Sequence, residues 1–120
     1  MTSRLITGLV VVAVVGSLAT TPVGRCANTA TTRLTVTGGE YFFKLSRARV
    51  PRGTVYVTFV NQGSESHDLK FTGKSPMTKV LAPNTKQTIK LVFKKPGRYA
   101  FLCTVGEDAL RGMNGTLIVR

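Results

Sequence analysis

Hydrophobic and polar residues alternate along much of the chain from about residue 32 onward. Leu34 and Val36 are separated by threonine, and the same period of two recurs over residues 55–60 and 88–93. Successive side chains of a β-strand point to opposite faces, so each run predicts a strand with one buried face. The series Tyr99, Phe101 and Cys103 predicts a further strand. Residues 117–119 predict the last one.

Turn-forming residues separate these runs at short intervals, and no long stretch has helical periodicity. The turn signals are Gly38-Gly39, Pro51-Arg52-Gly53, Asn61-Gln62-Gly63, Pro83-Asn84 and Pro96-Gly97. Roughly seven short strands in about 90 residues predict an all-β fold, a two-sheet Greek-key β-sandwich. We expect its core to be dominated by aromatic side chains, namely Phe42, Phe59, Phe93, Tyr99 and Phe101.

The N-terminal part of the chain has a different composition from the rest. Arg4 precedes an apolar run over residues 5–19, which at about 15 residues is short for a membrane-spanning helix. We interpret residues 1–30 as a signal peptide and flexible lead, and residues 31–120 as the folded domain. Small residues at Ala19, Ala27 and Ala30 leave the cleavage point open. The protein is therefore expected in the periplasm, at the cell envelope or outside the cell.

The chain is strongly basic, with a formal net charge of +12. Such a field favours anionic partners, so we expect an acidic redox partner protein or an anionic cell-envelope surface. Nucleic acid is not expected, because no compact basic run is interleaved with aromatic residues. We expect a monomer.

Three residues toward the C-terminal half have side chains that bind soft metal ions. His67 lies upstream, Cys103 ends a predicted strand, and Met113 follows ten positions after Cys103. A copper ion that changes oxidation state is suited by a thiolate, imidazole nitrogen and a weak thioether ligand. A short loop between Cys103 and Met113 would make the site compact, which favours electron transfer.

Several motifs around these residues resemble those of the cupredoxin family. They are Asn61-Gln62-Gly63, His67-Asp68-Leu69, Pro96-Gly97-Arg98-Tyr99, Cys103 and Gly112-Met113-Asn114-Gly115, within about residues 32 to 120. The resemblance implies that His67 and Cys103 bind copper together with a second histidine and a methionine on the cysteine loop. It also implies a role in electron transfer or copper handling.

The sequence departs from the family pattern at one ligand position. His67 is the single histidine, and Asp108 stands where the second histidine is usual, with Glu107 beside it. Our predicted metal ligands are therefore His67, Cys103, Asp108 and Met113, with Glu107 as the alternative carboxylate. Alternatively, His67, Cys103 and Met113 alone hold copper(I).

Other interpretations stay open. Zinc also accepts cysteine, histidine and carboxylate ligands. The domain could instead be a degenerate cupredoxin without metal, serving a structural or partner-binding role. Cys26 and Cys103 could form a disulfide if Cys26 is retained. A catalytic triad of Cys103, His67 and Asp108 is not expected, because the chain has no obvious insertion to enclose a substrate, so we do not expect an enzyme.

Overall fold

The computed structural model describes residues 8, 11–13, 16 and 31–120. Residues 31–120 form eight strands without a helix. The strands are β1 Thr32–Gly39, β2 Phe42–Leu45, β3 Arg49–Val50, β4 Gly53–Asn61, β5 Lys70–Phe71, β6 Lys86–Phe93, β7 Gly97–Leu102 and β8 Asn114–Val119.

The strands pair into two four-stranded sheets, with the order β2-β1-β4-β6 in one and β3-β8-β7-β5 in the other. Most neighbours are antiparallel, but β1 pairs with β4, and β3 with β8, in parallel. The chain crosses repeatedly between the two sheets from β2 to β7, which places strands that are distant in sequence side by side, as in a Greek key. The predicted all-β Greek-key sandwich is confirmed.

The alternation in the sequence corresponds to the core of the sandwich. In β4, for example, Val55, Val57 and Phe59 are completely buried, and the residues between them are partly exposed. The hydrophobic faces of both sheets supply the buried cluster, whose members are Leu34, Val36, Val50, Val55, Val57, Phe59, Leu69, Phe71, Ile89, Leu91, Phe93, Phe101, Leu117 and Val119.

The prediction of the aromatic core was wrong at Phe42, whose side chain is 46% exposed. Its neighbour Phe43 faces inward instead and packs edge-to-face on Phe59 and Phe101, with ring centroids 5.8 and 5.5 Å apart. The core also contains Phe71, which packs against Phe101 at 5.2 Å. Two consecutive phenylalanines in a short strand do not reveal which one faces inward, because the alternation is too brief.

The predicted signal peptide and its candidate cleavage points lie almost wholly outside the described residues, as does Cys26. In the part of the chain that is described, no helix is long and apolar enough to cross a membrane.

Candidate metal centre

Three connecting segments meet at one end of the sandwich, which we call the site end. They are the β1–β2 turn with Glu40, the segment between β4 and β5 with His67, and the β7–β8 loop with Cys103, Asp108 and Met113. The strand registers bring them together, because β1 and β4 finish side by side and β7 and β8 are joined at this end.

The backbone around His67 is fixed by hydrogen bonds on both sides. The His67 N–H donates to the Leu81 carbonyl at 3.1 Å, and the Leu81 N–H donates back at 2.7 Å. The buried Asn61 amide donates to the carbonyls of Glu65 and Leu81 at 2.8 and 2.9 Å. His67 therefore lies in an isolated bridge just before β5, rather than at the start of a regular strand.

Asp68 connects the histidine segment to the cysteine loop. One of its carboxylate oxygens accepts a hydrogen bond from the Thr104 N–H at 2.6 Å, and the other accepts a hydrogen bond from the Thr104 hydroxyl. Asp68 is 1% exposed, so these bonds act in a water-poor environment. They hold His67 and Cys103, each one residue away, in fixed relation.

Three potential metal-binding atoms converge between these segments. Nδ1 of His67 lies 2.8 Å from Oδ2 of Asp108, and Sγ of Cys103 lies 3.5 Å from the same oxygen and 4.0 Å from Nδ1. All three residues are buried. The structure thus brings together three of the four predicted ligands through their ligating atoms.

The other imidazole nitrogen of His67 is occupied by Glu40. Nε2 lies 3.1 Å from Oε1 of Glu40, whose carboxylate also accepts the Glu65 N–H at 2.7 Å. Backbone hydrogen bonds from Glu65 and Ser64 lower the pKa of Glu40 to about 2, so this carboxylate is ionised at neutral pH. Nε2 of His67 therefore faces an anionic acceptor, and Nδ1 is directed at Asp108 and Cys103.

Cys103 is a free thiol with 1% of its surface exposed. Burial raises the pKa of the Cys103 thiol to about 11, so it is protonated at neutral pH in the absence of a metal ion. Binding a metal ion there requires loss of that proton.

The remaining loop candidates differ in position. Met113 is completely buried, and its carbonyl accepts the Cys103 N–H at 3.0 Å, which closes the loop at its base. The Met113 N–H in turn donates to the Asp108 carbonyl at 3.0 Å. Glu107 is exposed, whereas Asp108 is 8% exposed and lies in the cluster. Of the two carboxylates, the loop turns Asp108 inward.

The size of the cluster is compatible with a metal ion. Around a tetrahedral or trigonal ion with bonds of about 2.0 to 2.3 Å, neighbouring ligand atoms are about 3.3 to 4.0 Å apart. The separations that involve Sγ, at 3.5 and 4.0 Å, fall within this range. Nδ1 and Oδ2, at 2.8 Å, are hydrogen-bonded and would separate by about half an ångström. The donor set of thiolate, imidazole and carboxylate fits copper or zinc.

The family model described as "Cupredoxin-like domain" matches residues 7–119, nearly the whole chain. The chain is a cupredoxin-like protein. No curated protein sequence matches it significantly.

Solved structures with the same fold include copper proteins. Auracyanin from Roseiflexus castenholzii is 22% identical, with 75% of this chain and 96% of that one covered and a TM-score of 0.59. Rusticyanin from Thiobacillus ferrooxidans is 20% identical, with 75% and 77% covered and a TM-score of 0.61. A copper-containing nitrite reductase from Thermus scotoductus SA-01 is 17% identical, with a TM-score of 0.58. The match with the reductase spans 76% of this chain and 28% of the reductase chain. At these identities the likeness establishes the fold.

Sequence reasoning missed Glu40 as a member of the site. It lies 27 positions before His67, in a turn that carries no ligand motif. A weak signal existed in Gly63, where a Cβ atom would overlap the Glu40 carboxylate, but a glycine in a turn does not reveal what approaches it. The contact is a product of the tertiary fold.

Proposed function

We propose that this cupredoxin-like protein binds one copper ion through Cys103, His67 and Asp108, with Met113 as the further ligand. The convergence of Sγ, Nδ1 and Oδ2 in a buried cluster carries the proposal. His67 is oriented for the task by Glu40, since a metal-binding histidine commonly donates the N–H of its second ring nitrogen to a carboxylate.

The role we propose is electron transfer or copper handling, not catalysis. Bound copper supplies one-electron chemistry between its two oxidation states. The buried, backbone-fixed donors favour electron transfer, because a rigid site rearranges little when the charge changes. An anionic carboxylate in place of imidazole stabilises copper(II) relative to copper(I) and so lowers the reduction potential.

We also propose that the protein acts outside the cytoplasm. The support is the sequence of residues 1–30, with Arg4 ahead of the apolar run 5–19 and small residues beyond it. A buried free thiol in an oxidising compartment is protected by a metal ion from oxidation and disulfide exchange.

A metal-free, degenerate cupredoxin is the second candidate, and one observation favours it. Within the described residues, every buried polar side-chain atom already has a hydrogen-bond partner. His67 in particular is satisfied by Glu40 and Asp108 without a metal ion. Such a domain would serve a structural or partner-binding role at the cell envelope.

A copper titration of the purified exported protein distinguishes the two candidates. We expect one equivalent of copper(I), measured by competition with a chromophoric copper(I) chelator, and one of copper(II), measured by absorption and electron paramagnetic resonance. Parallel titration with zinc tests whether the site prefers a redox-inert ion.

Cys103→Ser is the informative variant, because it removes the thiolate but preserves the size and burial of the side chain. Met77→Ser is a matched control, since Met77 is 39% exposed. We expect Cys103→Ser to abolish the thiolate-to-copper(II) absorption and weaken copper(I) binding at least a hundredfold, and Met77→Ser to change neither. Wild-type protein that binds no stoichiometric copper would establish the metal-free candidate instead.

A further inference from the structure

The acidic side chains of the domain all lie at one end. All five carboxylates lie at the site end, in the β1–β2 turn, the segment that contains His67 or the β7–β8 loop; they are Glu40, Glu65, Asp68, Glu107 and Asp108. They accept hydrogen bonds within the site or flank the residues that do. Most basic side chains lie elsewhere on the surface, although Arg111 of the β7–β8 loop lies at the site end, where its guanidinium donates to the Tyr41 hydroxyl at 2.8 Å.

The opposite end carries a cluster of exposed basic residues, which we call the basic end: Arg49, Arg52, Lys94, Lys95, Arg98 and Arg120. The fold assembles them from four segments. Arg49 and Arg98 flank Ile118 in one cross-strand row. The Arg52 N–H donates to the Arg120 carbonyl at 3.1 Å. The pairing of Gly53 with Phe93 brings Lys94 beside Arg52.

The basic end has no internal neutralisation. In residues 31–120 the contacts at salt-bridge distance both involve His67, at the other end of the sandwich. Like charges held together on a folded surface repel one another, and an external polyanion relieves that repulsion while gaining attraction. The charge pattern therefore favours contact of the basic end with an external anionic surface.

The N-terminal segment enters the domain at the same end. β1 begins at Thr32, which pairs with Val55, two residues after the Gly53 start of β4 beside Arg52. The sequence before β1 contains the apolar run 5–19. Until the signal peptide is cleaved, the apolar run and the basic end act on the membrane together; after cleavage, the charge of the basic end acts alone.

We propose that the basic end docks on the anionic phospholipid surface of a membrane and directs the site end away from it. The proposal does not depend on copper binding. It assigns the anionic partner expected from composition to one face, and it leaves the site end free to meet a soluble partner.

Vesicle co-sedimentation of the exported protein with its natural N-terminus tests the proposal. Vesicles of phosphatidylcholine alone are compared with vesicles that contain about one third phosphatidylglycerol. We expect binding at least a hundredfold tighter to the anionic vesicles, and we expect about 0.5 M salt to abolish the difference, because screening shortens the electrostatic range to a few ångströms.

Two charge-matched triple variants locate the contact. Arg49→Gln with Lys95→Gln and Arg98→Gln removes three charges from the basic end, and Lys70→Gln with Lys79→Gln and Lys86→Gln removes three elsewhere. Within the described residues, the lysine and arginine side chains that donate hydrogen bonds are Lys74 and Arg111, so none of the six substitutions breaks one. Thermal unfolding midpoints verify that both variants fold.

The first triple variant should bind anionic vesicles about a hundredfold more weakly, since each basic residue near an anionic surface contributes about fivefold. The second should lose less than about fivefold. Equal losses would overturn the proposal, as would binding that does not depend on anionic lipid. Binding to soluble poly(glycerol phosphate) but not to vesicles would also overturn the membrane assignment.

Discussion

Asp108 is the residue that distinguishes this site from a two-histidine copper site. Its Oδ2 lies 2.8 Å from His67 Nδ1 and 3.5 Å from Cys103 Sγ, so the carboxylate is placed to bind the same metal ion as those two atoms. Asp108 brings a negative charge where imidazole would bring none. The charge, rather than the geometry, is the larger change, because ion–charge interactions across a few ångströms amount to several kcal/mol in a partly buried site.

Replacing Asp108 by the histidine that is usual at this position is predicted to create a blue-copper site. Asp108→His should give an intense visible thiolate-to-copper(II) band and raise the reduction potential by on the order of 100 mV, because a neutral ligand no longer favours copper(II). Absorption spectroscopy and voltammetry of the copper-loaded variant measure both.

Asp108→Asn is the matched control, because it removes the charge and keeps an oxygen in nearly the same position. It should raise the potential without producing the intense band. If Asp108→His leaves the spectrum and the potential unchanged, Asp108 is not next to the metal ion and the assignment of the loop is wrong.

At the scale of elements, the β7–β8 loop is shaped by glycines as well as by its ligands. Gly112 precedes Met113 with φ of 123°, a conformation that side chains rarely adopt, and a Cβ there would lie 2.8 Å from the Tyr41 carbonyl oxygen. Tyr41 belongs to the same turn as Glu40, so Gly112 allows the ligand loop to approach the turn that orients His67.

Gly112→Ala is predicted to lower the free energy of unfolding of the metal-free protein by about 2 to 3 kcal/mol. The cause is the strained backbone together with the backbone overlap at Tyr41. Gly106→Ala is the control, because Gly106 has φ of 49° and open space around it, so about 1 kcal/mol is expected. Urea denaturation measures both, and equal losses would show that the contact with Tyr41 costs nothing.

How much of the structure could be predicted depends on how local each signal is. The long strands follow from alternation that lies within eight or nine residues, as in β1 and β4. The parallel pairing of β1 with β4 has no local signal, since it joins residues about twenty positions apart. Phe71 was missed because β5 has two residues, although its alternation with Leu69 was present in the sequence.

The site was predictable to the extent that its ligands lie in motifs. His67, Cys103 and Asp108 were found from residue type and spacing, and the structure brings their ligating atoms within 4.8 Å of one another. Glu40 and the Asp68–Thr104 connection act through tertiary contacts, so spacing could not reveal them. Composition gave the net charge but not its segregation, because the placement of charges is decided by the fold.

At the scale of the whole molecule, net charge and local charge favour different encounters. The chain carries a formal charge of +12, yet its carboxylates surround the candidate metal centre. The salt concentration decides whether an approaching molecule responds to the net charge or to the local charge, since the electrostatic range is about 30 Å at 0.01 M salt and about 10 Å at 0.1 M. At about 0.1 M salt, a reagent that approaches the site end should respond mainly to the exposed charges there, which include Glu40, Glu65, Glu107 and Arg111.

Electron exchange of the copper-loaded protein with small complexes is therefore predicted to depend on charge at the site end. Replacing Glu65 and Glu107 by glutamine should lower the ratio of the rates with a cationic and an anionic complex severalfold at about 0.1 M salt, because local attraction is lost. Stopped-flow absorption measures the two rates. The pair Arg49→Gln and Arg98→Gln is the control at the basic end and should leave the ratio nearly unchanged. If that pair shifts the ratio as strongly as the glutamate pair, electrons do not enter through the site end.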